Sequence, residues 1–393
     1  MPKRRHDTVD AVHLPDEIWL MIWQHVKLEE MFVVLQVCRE WRRTMLDPSL
    51  WKAPVDSKTL TYLVQMCGSE LLPCFYLTDE DVMLDGIMPL LPYITGCDLD
   101  LTFWRDPPSF STLLRLAPHV KHVKLGIYIH LMDIPLPTEG RALETLHLTC
   151  LIMMPDGSES TLPHDQSYTV EKQFGKWLVS LPNLTHVTTS SDGCFTMGLT
   201  QMPPVLGLTR LQTLRLCYGT RNIIETILMQ ARDTLESLTV DNTATYHPKE
   251  HPRNLLQLIG QCPRLKTLDV PMFADFNTPL ASVFLAGSVL ESMTVHQGAP
   301  GTMMHFLRAI PMTVTLLRIH SLPHASRIYV EELLARKHLD YLNVVVGAPY
   351  FTLAHDTVET PWKEEDYKDW KLDRFGGAIE YIFEHKTRHK TLF

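Results

Sequence analysis

One spacing recurs along this chain and restricts its fold more than anything else: an apolar residue, two variable ones, an apolar one, one variable, and a last apolar one. It is clearest at Leu143, Leu146 and Leu148, at Leu211, Leu214 and Leu216, and at Leu235, Leu238 and Val240. It returns at Leu265, Leu268 and Val270, at Leu290, Met293 and Val295, and at Leu339, Leu342 and Val344. Weaker copies start at Leu72, Ile94, Val120, Leu184 and Val314. Of the ten intervals between starts, nine lie between 22 and 30 residues. A unit of that length holds one strand and one helix or tight turn, too little to bury an apolar face alone. Units of this kind must stack and share a continuous core. Helical spacing between the strands, at Phe174 to Leu181, Ile223 to Met229 and Leu255 to Ile259, supplies the second layer. Pro182, Pro263 and Pro311 end such segments just before the next strand.

The expected fold is therefore α/β: a solenoid bent as a horseshoe, with parallel strands on the concave face and helices on the convex face. Side chains alternate along a strand, so Leu146, Leu148, Leu214, Leu216, Leu238, Val240, Leu268 and Val270 point into the core. The intervening positions form a row on the open side. They are mostly small hydroxyls, with His147, His186, Arg215, Thr239, Asp269 and Arg318 as the candidate target-binding residues. The mixture suits hydrogen bonding to a protein or peptide and shows no strong charge preference along the row.

Ahead of the repeats, Leu14 to Trp51 packs three short helical signals into too few residues for a sizeable core. Pro15 is expected at the first helical position, with Asp16 and Glu17 on the positive end of the helix dipole. Ile18, Ile22 and Val26 make one stripe, with Trp19 and Trp23 beside it. A second helix from about Leu28 carries Met31, Phe32, Val34, Leu35 and Cys38, and a third near Arg39 carries Trp41. Asp47 caps a short turn opened by Pro48. The apolar surface of the first two helices is wider than three short helices can bury among themselves, the mark of an interaction site.

These residues resemble the F-box, the module by which substrate receptors attach to a Skp-type adaptor in cullin-RING ubiquitin ligases. The likeness rests on Leu14-Pro15, Ile18, Ile22, Leu35, Val37-Cys38, Trp41 and Asp47 to Trp51, about a tenth of the chain. It implies that Leu14, Pro15, Ile18, Ile22, Leu35, Val37 and Trp41 serve the adaptor interface or the module's own core, without dividing them between the two. The tryptophans at 19 and 23 are bulkier than the aliphatics usual there. The repeats resemble leucine-rich repeats, though the asparagine that many of these place after the strand is absent. Together the resemblances imply an F-box leucine-rich-repeat protein, a substrate receptor of an SCF-type ligase. The alternatives are a scaffold acting outside any ligase, or a repeat protein with an enzymatic or regulatory role whose helical start packs in cis.

Composition narrows the rest. A net charge of −9 argues against a nucleic-acid surface, which needs clustered cations. No apolar run is long enough to span a membrane, and no charged-then-apolar leader opens the chain. None of the eight cysteines forms a CxxC pair, so no metal site is expected and the thiols are expected reduced, in the cytoplasm or nucleus. GxSxG, HExxH and phosphate-loop motifs are all missing, so neither catalytic residues nor a cofactor are expected. The expected division is a flexible basic start at 1–11, the helical module at 12–55, about eleven repeat units at 56–350, and a cap or tail at 351–393. Within it, the 41-residue interval from 143 to 184 holds a polar insertion, Met153 to Ser167. Gly377 to His385 reads as a final helix.

Overall fold

The computed structural model describes residues 14–51, 53–67, 71–79, 87–100, 109–128, 138–151, 177–178, 180–190, 208–219, 221–243, 255–271, 285–296, 310–322, 327–336, 338–346, 369–375 and 379–385. Three short helices open the chain: α1 (Asp16–Trp23), α2 (Leu28–Val37) and α3 (Arg39–Met45), followed by a single 3-10 turn at Pro48–Leu50. Pro15 caps α1 instead of entering it, and its carbonyl accepts from the amides of Ile18 and Trp19. Asp47 Oδ1 accepts from the Ser49 amide at 2.8 Å, as expected of that turn. Helix α4 (Ser57–Cys67) then leads into the repeats.

Among the described residues, thirteen strands form one sheet. In chain order they are β1 (Phe75–Asp79), β2 (Ile94–Asp100), β3 (His122–Tyr128), β4 (Thr145–Leu151), β5 (His186–Ser190), β6 (Thr213–Gly219) and β7 (Ser237–Thr243). The others are β8 (Thr267–Pro271), β9 (Ser292–His296), β10 (Leu316–Leu322), β11 (Tyr341–Val346), β12 (Trp370–Phe375) and β13 (Ile379–His385). Neighbours from β1 to β11 are consecutive in sequence and parallel, one strand per repeat. The second layer includes α5 (Phe110–Leu116), α6 (Arg221–Gln230), α7 (Leu255–Gly260) and α8 (Arg327–Leu334). Residues 177 and 178 are helical within the expected segment at 174–181.

The repeating unit is visible in its hydrogen bonds as well as its leucines. At the head of each strand from β3 to β10, one carbonyl accepts two amides from the next repeat. Lys121 takes Glu144 and Thr145 at 2.8 and 2.9 Å, and Glu144 takes Thr185 and His186 at 2.9 and 3.1 Å. The same pair of bonds recurs as far as Thr315, which takes Asp340 and Tyr341. The long interval between β4 and β5 therefore leaves the stacking register unchanged, and its surplus residues, Met153 to Ser167, lie outside the described set. Every inward leucine named above is buried, as is Val240, whereas the side chain of Val270 is outside the described set.

Two expectations at the ends change. In the first repeat Leu71, not Leu72, is buried, and the β1–β2 register slips between Phe75 and Tyr76. At the other end the final helix is instead β13, antiparallel to β11 and hairpinned to β12. Ile379, Tyr381 and Phe383 alternate with Glu380, Ile382 and Glu384, a period-two pattern rich in β formers, and the open edge of β11 offers it a partner. The hairpin closes the parallel stack.

The N-terminal edge is covered differently. Val55 pairs with β1 as an isolated bridge, its amide donating to Tyr76 O at 2.8 Å while Thr78 N donates to Val55 O at 3.1 Å. Trp51 packs on Phe75 of β1 with ring centres 5.2 Å apart. The buried residues of the helical module and of the solenoid form one continuous cluster.

Candidate functional site

The module divides its apolar residues between two faces. Trp19 stacks on Trp23 at 5.0 Å, and Trp41 of α3 closes on both at 5.0 and 5.2 Å. The Trp23 indole N–H, buried, donates to Thr44 Oγ1 at 3.1 Å, so this bulk carries no unsatisfied polar atom. Leu35 and Met45 are fully enclosed below. On the α4 side, Phe32 meets Tyr62 edge-on at 5.0 Å and Gln36 Nε2 donates to the Tyr62 hydroxyl at 3.0 Å.

Other apolar side chains of α1 and α2 have no such cover. Ile18, Met21 and Ile22 on α1 are 41%, 61% and 40% exposed, and Val33 and Val37 on α2 are 66% and 56% exposed. Of the seven residues singled out from sequence, Pro15, Ile18, Ile22 and Val37 are exposed and Leu14 is half-buried. Leu35 lies wholly inside, and Trp41 belongs to the aromatic core. Met21 and Val33 escaped the sequence reading. Their signal was helical spacing, since Met21 sits three residues after Ile18 and Val33 four before Val37. Asp16 and Arg43 pair at 2.9 Å across α1 and α3, both well exposed, which adds a few tenths of a kcal/mol at most.

The second surface is the open side of the sheet. Register places His122, Thr145, His186, Thr213 and Ser237 side by side on β3 to β7. The next row brings Lys124, His147, Thr188, Arg215 and Thr239 together, continuing to Asp269 on β8. Of the candidate target-binding residues, His147, Arg215, Thr239 and Asp269 therefore share one row segment, with His186 one row over. Arg318 lies further along on β10, over the Tyr341 ring at 6.0 Å. Between Asp269 and Arg318 the row is covered, with Thr294 only 5% exposed, and Asn343 beyond is 7% exposed.

At the β2 end, Lys124 Nζ holds Asp98 Oδ2 at 2.8 Å. Tyr76 lies flat against Gly96, where a Cβ would stand 2.4 Å from the ring. Gly96→Ala is expected to lower stability by about 1–3 kcal/mol through this clash, and Tyr76→Ser in the same chain is expected to recover most of it in a urea melt. His147 is held below the usual imidazole range by burial first, then by the Lys124 charge, with Asp98 opposing and Arg215 adding to the depression. The folded state thus favours neutral His147, so its contribution to stability is present at neutral pH and falls as pH drops below the ordinary histidine range. Lys124→Gln removes one repelling cation and frees Asp98 to attract a proton. The His147 titration followed by NMR should shift upward in that variant.

Among the described residues no group of His, Cys, Asp and Glu is placed to hold a metal ion, and no helix is long and apolar enough to cross a membrane. Burial pushes the thiols of Cys74 and Cys97 up to about 12 and that of Cys262 to about 11, which leaves them protonated and poor nucleophiles. A comparison with curated proteins gives no match for the chain. The F-box-like family matches residues 11–57, the three helices, the Asp47-capped turn and the start of α4. The chain thus carries an F-box-like domain ahead of its parallel-strand solenoid, a domain that supports an adaptor role in ubiquitin-ligase-type complexes and is typical of their non-catalytic subunits.

Proposed function

We propose that this protein is the substrate-receptor subunit of an SCF-type cullin-RING ubiquitin ligase. Its F-box-like domain binds a Skp-type adaptor, and its solenoid, of leucine-rich-repeat type, binds a target protein. The work it does is bridging: holding the target near the ubiquitin-carrying subunit raises the local concentration of one for the other. The transfer chemistry belongs to other subunits, and no residue here takes part in it.

The observation that carries this reading is the two-sided packing of residues 14–51. One side is fused to the solenoid through Trp51, Val55 and Tyr62. The other side leaves Ile18, Met21, Ile22, Val33 and Val37 in water. A module docked only in cis has no use for that second face, and exposed apolar clusters mark association sites. With reduced thiols, the setting is the cytoplasm or nucleus.

Affinity purification of the full chain tests the reading. Recovery of adaptor and cullin together supports the receptor. Adaptor without cullin supports a scaffold outside the ligase, and neither one supports a repeat protein whose helical start serves only its own fold.

A further inference from the structure

The two rows that register brings together on β3 to β7 have a composition that the linear sequence hides. Every side chain in them is a hydroxyl, an imidazole, a lysine or an arginine. Each can donate a hydrogen bond, none is apolar, and none carries a negative charge. This occurs in a chain with 45 acidic residues and a net charge of −9. Carboxylates on the row stand only at its borders, Asp98 on β2 and Asp269 on β8. Asp98 is engaged by Lys124 at 2.8 Å. The middle of the field is therefore the side chains around His147 and Arg215, which lie close enough for the Arg215 charge to be felt at the His147 ring.

Such a field complements a ligand made of acceptors with negative charge. Resting on the receptor reading above, we propose that the target protein is recognised through an acidic, extended segment, rich in Asp and Glu, that crosses the open face from β3 to β7. Five strands at a spacing of about 4.8 Å span about 19 Å, or about six residues of extended chain. The hydroxyls of Thr188 and Thr239 flank Arg215 on both neighbouring strands and donate to the same carboxylates. Fields of this kind set specificity and association rate more than raw affinity, and they weaken with salt.

The test uses the full chain and fluorescent peptides of about eight residues, one alternating Glu with Ser, one Gln with Ser, one Lys with Ser. Anisotropy is expected to show the Glu peptide bound about tenfold more tightly than the Gln peptide, with affinity falling as salt rises. Arg215→Glu is expected to weaken the Glu peptide at least about tenfold. Thr239→Asp, which places a carboxylate in the field without removing the arginine, should act in the same direction. Both variants must melt with the parent for the comparison to count, and both sites lie at the surface. Equal binding of Glu and Gln peptides, preference for the Lys peptide, or indifference to both variants overturns the proposal. Tighter binding of a single-stranded oligonucleotide than of the Glu peptide also overturns it, in favour of a phosphate backbone as ligand. Adaptor capture by the same variants is expected to be unchanged. Absence of adaptor capture by the parent chain would count against the receptor reading alone.

Discussion

Ile22→Glu is expected to abolish capture of a Skp-type adaptor while the chain melts within about 2 °C of the parent. Ile22 is 40% exposed, and Ile18 stands one helical turn before it on the same face of α1. In the free chain a glutamate there sits in water at almost no cost. In the proposed complex it would be enclosed beside Ile18 by the partner's apolar surface. Burying an unpaired carboxylate costs several kcal/mol, and about 3 kcal/mol already means a loss of more than 100-fold in affinity. Two controls give the result its meaning. Met312→Glu alters a side chain that is 72% exposed just ahead of β10, far along the solenoid, and should leave capture intact. Leu35→Ala removes a fully buried side chain and should cost about 2–5 kcal/mol of stability, so its effect on capture arrives with unfolding. Undiminished capture by Ile22→Glu would place the adaptor contact on some other surface.

The solenoid was readable because its signal is redundant. Each strand repeats the same inward pair, so a weak copy such as Leu184, Val187 and Thr189 is rescued by its neighbours, and Thr189 is buried despite its hydroxyl. The 41-residue interval was readable as an insertion for the same reason, since β4 and β5 pair as if it were not there. Signals that lack repetition were misread. Ile379 to His385 offers apolar residues to either a helix or a strand, and the decision came from the open edge of β11, a partner 33 or more residues earlier in sequence. In the module, composition showed that more apolar surface existed than three helices could hide, without showing which side faced out. That depended on the tryptophans. Stacking of Trp19 on Trp23, with Trp41 closing over them, turns that stripe inward and leaves Ile18 and Ile22 outside. Most of the row on the open face was legible as well, because the repeat spacing sets its outward positions and so placed His147, His186, Arg215 and Thr239 there. His122 and Lys124 belong to a weaker copy of the repeat and join the row only through the register of β3 with β4.

Trp51→Ala should have the largest effect on stability of any single change at the junction, about 3–5 kcal/mol out of the 5–15 kcal/mol that holds a typical folded chain. Trp51 is 3% exposed, its ring meets Phe75 of β1, and its indole N–H donates to Met45 O at 2.9 Å. Truncation therefore opens a cavity at the seam and strands a buried carbonyl at the end of α3. Trp51→Phe keeps most of the ring packing and loses the hydrogen bond, so about 1–2 kcal/mol is expected. The form of the transition matters more than its size. The two parts share one buried cluster, and Val55 supplies the isolated bridge that covers β1. Solenoids gain stability from each interface with a neighbouring repeat, so an uncovered first repeat loses half of its support and frays. Amide exchange in Trp51→Ala should accordingly rise in β1 and β2 before it rises in β7 or β8, and in α1 to α3 together with β1. If exchange rose in the helices alone while β1 stayed protected, the module would be an independent domain on a tether. The exposed apolar residues of α1 and α2 would then report nothing of the sheet behind them. With a shared core the helices and the sheet are held at a fixed separation, the rigidity that the proposed bridging of a target to an adaptor requires.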